Sequence, residues 1–452
     1  MNIIIVGAGK VGSTLADKLT AEGNNVTVVD KNSQLLSRVT TTYDIMGVKG
    51  NGSSYSTLIE AGIENADLII AVTDSDELNL LCCTLAQNLG KCATIARVRT
   101  PDYGEELPYL RDKLGISLII NPELEAAREI NRLLHFPSAI SVNAFAKGFV
   151  DMITFKIPAD STLCGMQLSD LDAKSGKVLI CAVERGKDLV IPNGSFVLAP
   201  GDIATFIARH EDAYTFFKQF GIRSRRISSA MLIGGGRTSF YLTNRLVKAG
   251  VDVKIIETDT ERCNELAELL PDNVIIVNGD GTDESLLKQE NMSSYDAIIP
   301  LTGIDEENIL LTLYAMKTSP DIKTITKVNH IGFTNVIDGL DLGSVVYPRL
   351  MTAQIIRTYA RARKNSIGSN IETLYRLFDD RAEAIEFKID GSADYTGKPL
   401  KQLKLKNNLL IAAVIRGGRS FIPGGDDSIL PGDTVIIVTT HSGFDNISDI
   451  FA

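Results

Sequence analysis

Two hydrophobic periods alternate along the chain. Short β-branched runs such as Ile3-Ile4-Ile5-Val6 and Val26-Thr27-Val28-Val29 are followed by stretches in which apolar residues recur every three to four positions. The first kind predicts buried strands and the second predicts helices with one packed face. The opening strand runs into a glycine turn and then the helical segment STLADKLTAEG; NNVTVVD is the second strand, and a helix covers Gln34 to Thr41. YDIMGVKGNG carries a strand that ends at Gly50-Asn51-Gly52. The helix SSYSTLIEAGI, the strand ADLIIAVT, the helix DSDELNLLCCTLAQNLG and the strands CATIARVR and ISLIINP complete the unit. Strict alternation of strand and helix predicts a parallel, doubly wound sheet.

At Ser229 the same pattern restarts. SAMLIGGGRTS sets Gly234 over Gly7 and Gly236 over Gly9, with Ser239 in place of Gly12; Glu257 falls over Asp30 at the same offset. VNGDG sets Asp280 over Asn51, and DAIIPLTGIDEENILLT sets Thr302, Asp305, Glu306 and Asn308 over Thr73, Asp76, Glu77 and Asn79. Lys327 falls near Arg97. A second segment also repeats: FKIPADSTLCGMQLSDL is echoed by FKIDGSADYTGKPLKQL, AVERGKDLVIPNG by AVIRGGRSFIPGG, and APGDIATFIA by LPGDTVIIVT. Its short strands, bounded by RG, PNG and PGD turns, predict a small β-rich α+β module. The order is therefore nucleotide-binding-type unit, small module, unit, module.

The segments expected are a first unit at 1–124, a linking helix at 125–145, a module at 146–225, a second unit at 226–346, a second linking helix at 347–372 and a second module at 373–452. Each linking helix follows a proline, a favoured first helical position. The second carries Arg349, Arg357, Arg361, Arg363 and Lys364, which read as a solvated basic face, and Leu350, Ile355, Ile356 and Tyr359, which read as a buried one.

The chemistry is concentrated in MNIIIVGAGKVG. Gly7, Gly9 and Gly12 have the GxGxxG spacing between a strand and a helix, with Asp30 closing the next strand. Gly7 allows the turn, Gly9 lets backbone approach a pyrophosphate, Gly12 lets helix pack on strand, and Asp30 accepts ribose hydroxyls. In the second copy Ser239 is expected to fit with mild strain, and Arg237 stands where a guanidinium can pair with phosphate. Glu257 disfavours a ribose 2′-phosphate by charge repulsion.

Composition narrows the remaining choices. Lys plus Arg number 46 against 56 Asp plus Glu, a formal net charge of −10, which argues against a nucleic-acid partner held by overall charge. At 452 residues, 44% of them apolar, the chain has material for several cores. The six cysteines never fall in a CxxC pattern and predict reduced, buried thiols and no metal site. No apolar run approaches the ~18 residues that cross a bilayer, so any membrane role is expected to be peripheral. The four histidines, His135, His210, His330 and His441, read as ordinary surface residues without a recurring acid partner, and Asp379, Asp380 and Glu383 read as a solvated acidic turn. No catalytic group recurs between the copies, so an enzyme is not expected. The readings open at this point include an NAD-dependent oxidoreductase and a nucleotide-binding scaffold.

With GAGKVG, the later IARVR, the PGD turns and this order of units, the whole chain resembles the tandem RCK (also called KTN) regulatory family. The resemblance implies a cytoplasmic regulatory subunit, peripheral on the inner face of the cell membrane, that forms a homo-oligomeric ring (dimer to tetramer). The ring would gate a membrane potassium channel or transporter subunit of the Trk type in response to nucleotides. It also implies that the linking helices cross over to neighbouring units. Carried onto this sequence, the first site comprises Gly7, Ala8, Gly9, Lys10, Val11, Asp30, Thr73, Asp74 and Arg97, with Asn51 beside them, and takes NAD⁺ or NADH. Thr73 and Asp74 would line the sugar or base side and Arg97 a phosphate or carboxamide; helix capping and an ion pair are the structural alternatives for these three. The second site comprises Gly234, Gly235, Gly236, Arg237, Thr238, Glu257, Asp280 and Thr302, and takes ATP or ADP, or NAD.

Overall fold

In the computed structural model, residues 1–101, 106–175, 177–222, 226–329, 340, 342–365, 370–378, 381–444 and 446–452 are described. His330, Asp379 and Asp380 lie outside them.

The first six strands are β1 (Asn2–Val6), β2 (Asn25–Asp30), β3 (Met46–Lys49), β4 (Leu68–Ala71), β5 (Ala93–Arg97) and β6 (Leu118–Ile120). They interleave with α1 (Lys10–Ala21), α2 (Ser33–Tyr43), α3 (Tyr55–Glu60), α4 (Asp76–Gly90) and α5 (Leu107–Lys113). The strands pair in parallel in the order β3-β2-β1-β4-β5-β6, with Ile3 to Val6 registered against Val26 to Val29 on one side and Leu68 to Ala71 on the other. Ile3 to Val6 are at most 2% exposed, as a central strand covered on both faces requires. The strand order reverses between β1 and β4, so the crevice at their carboxyl ends is the ligand position of this fold.

After α6 (Pro122–His135), the first module contributes β7 (Ala139–Phe145), β8 (Val150–Lys156), α7 (Leu168–Ser175), β9 (Val178–Arg185), β10 (Asp188–Val190), β11 (Ile203–Ala208) and α8 (His210–Gln219). The second parallel sheet is built from β12 (Ser229–Ile233), β13 (Asp252–Glu257), β14 (Ile275–Asn278), β15 (Ala297–Pro300), β16 (Lys323–Lys327) and β17 (Ser344–Val346). Helices α9 (Arg237–Lys248), α10 (Thr260–Leu269), α11 (Glu284–Gln289) and α12 (Asp305–Thr318) accompany it, and its order, β14-β13-β12-β15-β16-β17, repeats the first. Then come α13 (Pro348–Asn365) and the second module, β18 (Ile371–Leu377), β19 (Ala382–Lys388), β20 (Leu409–Arg416), β21 (Arg419–Phe421) and β22 (Thr434–Thr439). Both modules are five-stranded antiparallel sheets, ordered β10-β9-β11-β8-β7 and β21-β20-β22-β19-β18. The expected architecture, two doubly wound parallel sheets each followed by a small β-rich module, is the architecture found.

The chain divides into two compact units. One holds both parallel-sheet domains (Met1–Asn131 and Ser228–Ala360); the other holds both small modules (Arg132–Ile227 and Arg361–Ala452). Within the first unit, Ala353, Ile356 and Ala360 of α13 belong to the core of the first sheet, packed with Ile3, Ile5, Leu15 and Val28. A helix that follows the second sheet thus completes the first. Arg357 departs from the expected solvated face: it is only 7% exposed and its Nε and Nη2 each lie 2.5 Å from Glu22 Oε1 at the end of α1. Within the second unit, Phe145, Met152, Cys181 and Ile207 of the first module share one core with Ala384, Ala412, Ile436 and Val438 of the second.

The PGD turns repeat in detail. Arg185 pairs with Asp202 through Nε (2.8 Å) and Nη2 (2.7 Å), and Arg416 pairs with Asp433 at 2.8 Å through both. Each carboxylate, at most 2% exposed, also accepts a backbone N–H, from Ala199 or Leu430. Glu383 corrects the reading of a solvated acidic turn: it is 5% exposed within β19, with Arg376 Nε 3.8 Å away. His210 has an acid partner that the sequence did not reveal, Asp151 at 2.9 Å, and this bond holds its imidazole above the usual histidine pKa. The pair is not repeated: His441, the corresponding residue, shares a hydrogen bond with the Asn407 carbonyl.

Two glycine loops at the ends of the parallel sheets

Gly7 and Gly234 have φ of +110° and +103°, the conformation that turns the chain from strand to helix and that β-carbon-bearing residues avoid. Each loop is tied to the neighbouring strand, Gly7 N–H donating to Val29 O and Gly234 N–H to Ile256 O, both at 2.8 Å. Gly9 and Gly236 are the N-caps of α1 and α9, so the first N–H groups of both helices are free of intrahelical partners.

The glycines have different reasons for being glycine. A Cβ on Gly12 would stand 1.8 Å from the Gly7 carbonyl oxygen, which forbids any side chain on that backbone. Ser239 therefore requires a slightly wider helix–strand contact, and it fills the space with a bond: its hydroxyl, fully buried, donates to the Gly234 carbonyl. Gly9 and Gly236 are otherwise. Their φ values, −69° and −67°, suit any residue, and a Cβ on either would meet nothing within 4 Å. The protein itself does not require glycine at these two positions.

The acids lie against the loops. Asp30 Oδ2 accepts from Ala8 N–H at 2.6 Å and Oδ1 from Asn32 N–H at 2.7 Å; Glu257 repeats this with Gly235 N–H at 2.5 Å and Asp259 N–H at 2.8 Å. Both carboxylates are thereby fixed at the rim of the crevice, at the carboxyl ends of β2 and β13. Lys10 and Arg237 are exposed on the first helical turns, whereas Val11 and Thr238 beside them are buried. Asn51 and Asp280 each brace a turn, accepting from Ser53 N–H (3.2 Å) and Thr282 N–H (2.8 Å); the Thr282 bonds hold the Asp280 carboxyl below its usual pKa.

On the other wall, Thr73 and Thr302 act first as local braces. Thr73 N–H and Oγ1 both donate to Asn79 Oδ1, at 2.8 and 2.7 Å, and Thr302 N–H donates to Asn308 Oδ1 at 2.9 Å. Asn79 and Asn308, fully buried, also donate to the carbonyls of Arg97 and Lys327, pinning the end of each fourth strand to the end of the fifth. The sequence shows these asparagines only as a repeated position. Asp76, 5% exposed, similarly accepts from the N–H groups of Arg99 and Thr100. Asp74 is exposed and lies 3.5 Å from Arg97.

Arg97 and Lys327 occupy corresponding positions with different chemistry. Arg97, 7% exposed, donates from Nη2 to Thr73 O at 2.6 Å, and burial lowers its pKa. Lys327 Nζ donates to Leu301 O at 2.7 Å, and burial brings its ammonium down to about 8, with the charges of Asp305 and Glu123 opposing the fall. Glu123, at the start of α6, acts electrostatically on Arg97 as well. The two domains meet nearby: Tyr241 of α9 donates to Arg99 O at 3.0 Å and accepts from Asn121 Nδ2 at 2.9 Å.

The TrkA-N domain model matches residues 3–122 and again 230–348, and the TrkA-C domain model matches 152–221 and 384–452. The chain belongs to the TrkA family. Over the full length of both proteins, this TrkA-family chain is 32% identical to the Trk system potassium uptake protein TrkA homolog 1 of Methanosarcina mazei. It is 32% identical to the Trk system potassium uptake protein TrkA of Halomonas elongata, covering 97% of this chain and 95% of that one. Among solved structures, the GsuK channel bound to NAD aligns over 97% of this chain and 76% of its own, with a TM-score of 0.64 and 18% identity. The GsuK RCK domain aligns over 97% and 92%, with a TM-score of 0.63 and 17% identity, a likeness of fold. No helix among the described residues of this TrkA-family chain is long and apolar enough to cross a membrane.

Proposed function

We propose that the chain is a regulatory subunit of a potassium uptake system, without enzymatic activity, that binds adenine nucleotides in its two glycine-loop crevices. The observation that carries this reading is the pair Gly9 and Gly236, where glycine answers no demand of the protein's own packing or backbone. The absent side chain leaves room for something from outside, and the free N–H groups of α1 and α9 suit that visitor to be a phosphate. NAD⁺ or NADH is the ligand of the first crevice, with Gly7, Ala8, Gly9, Lys10 and Val11 around the phosphates and Asp30 on the ribose. ATP or ADP is favoured in the second, where Arg237 adds a guanidinium at the loop and Glu257 holds the ribose. Arg97 and Lys327 provide positive charge at the far wall. The named relatives are potassium uptake proteins, which supports a membrane potassium transporter subunit as the partner, reached from the cytoplasmic side by a homo-oligomeric ring. A nucleotide gates such a ring only if it binds two arrangements of it unequally.

Calorimetric titration with NAD⁺, NADH, ATP and ADP tests the reading. Gly9→Ala is expected to abolish or weaken nucleotide binding at the first crevice by at least tenfold, about 1.4 kcal/mol, with Gly236→Ala doing the same at the second. The thermal midpoint should stay level or rise, because alanine suits the observed φ and lowers the entropy of the unfolded chain. Undiminished binding by both variants would overturn the assignment.

A further inference from the structure

Among the positions at which the second crevice differs from the first, three adjoin one another. Where the first has Ala8, Asp30 and Leu35, the second has Gly235, Glu257 and Arg262, with α2 and α10 capped alike by Asn32 and Asp259. Arg262 Nε donates to the Gly235 carbonyl at 2.7 Å, its Nη1 lies 2.6 Å from Glu265 Oε2, and its side chain is 21% exposed. The Gly235 peptide group on the amino side is held by Glu257. Glycine makes this possible: a Cβ at residue 235 would come within 2.7 Å of Leu266 Cδ1 and 3.0 Å of Glu257 Oε2. Leu35 has no polar atom with which to make the corresponding bond.

We propose that Arg262 is a positioning residue that strengthens the second loop's hold on a nucleotide phosphate without touching the nucleotide. The peptide that joins Gly235 to Gly236 has its oxygen on the guanidinium and its N–H at the N-cap of α9. A charge-assisted bond to the oxygen polarises the amide and makes that N–H a better donor. Glu265 offsets the guanidinium's net charge, so its action on the loop is carried by this directed bond to the Gly235 oxygen. The first loop lacks this device, so the asymmetry selects for phosphate in the second crevice. The effect acts on the phosphate end of the ligand and leaves the adenosine end alone. This inference rests on the reading of the second crevice as a nucleotide site.

The test uses the full-length chain carrying Asp30→Ala, which cripples the first crevice, and compares Arg262, Arg262→Leu and Arg262→Lys. ADP binding is measured by calorimetry and adenosine binding by ligand-observed NMR. Arg262→Leu, which installs the first crevice's own residue, is expected to weaken ADP roughly three- to tenfold while adenosine is unchanged, and Arg262→Lys to recover part of the loss. Unchanged ADP binding, or equal weakening of ADP and adenosine, overturns the inference and leaves the second crevice a nucleotide site. Absence of ADP binding in the Asp30→Ala parent overturns that reading and the inference with it.

Discussion

Gly12 and Ser239 show how one position can be equally constrained and differently solved. The first domain brings helix and strand so close that a Cβ would fall within bonding distance of a carbonyl oxygen, while the second accepts a Cβ and recovers a hydrogen bond from it. Gly12→Ala should therefore destabilise the protein by about 2–4 kcal/mol, and Ser239→Ala by only about 1 kcal/mol, as read from chemical-denaturation midpoints. A similar contrast separates Arg97 from Lys327, since only the lysine changes charge near neutrality. Lys327 is lowered to about 8 when folded, so between that value and its unfolded pKa near 10.4 the unfolded chain binds more protons. Stability gained from this group accordingly rises with pH across that window. Glu123→Gln removes a charge that opposes the lowering and should move the Lys327 midpoint further down, measurable by pH-dependent amine labelling.

At the scale of elements, the glycine loops, the acids that close the second strands and the order of the sheets were legible in sequence, because local spacing determines them. The partner of Arg357 was not. An arginine on a helix reads as solvated unless the element it will pack against is known, and Glu22 lies 335 positions away in the chain. Asp151 and His210 escaped notice for the same reason, and Asn79 and Asn308 because a buried asparagine that joins two strand ends has no local signature. Arg357→Ala should cost about 1–3 kcal/mol, because it removes the buried guanidinium that pairs with the largely covered Glu22 carboxylate. The double replacement Arg357→Met with Glu22→Leu should restore most of that loss in the same denaturation experiment. If the single variant is neutral, α13 is held by its apolar residues alone.

For the whole molecule, the halves of the sequence are not the halves of the fold. Residues 1–226, expressed alone, would lack Ala353, Ile356 and Ala360 from the first sheet's core and the second module's share of the core around Phe145 and Met152. Such a fragment is expected to bind hydrophobic dyes and aggregate, and co-expression with residues 227–452 to yield a soluble complex. A monodisperse, cooperatively melting 1–226 fragment would show that the exchanged helix is dispensable.

The duplication has one more consequence. In an assembly of two identical chains, every mutation appears twice, so both pockets must drift together. Joining the two copies in one polypeptide removes that constraint, and the two pockets carry different residues at Ala8, Asp30 and Leu35 against Gly235, Glu257 and Arg262. A pseudo-symmetric pair of this kind has two independent inputs where a symmetric pair would have a single input read in duplicate.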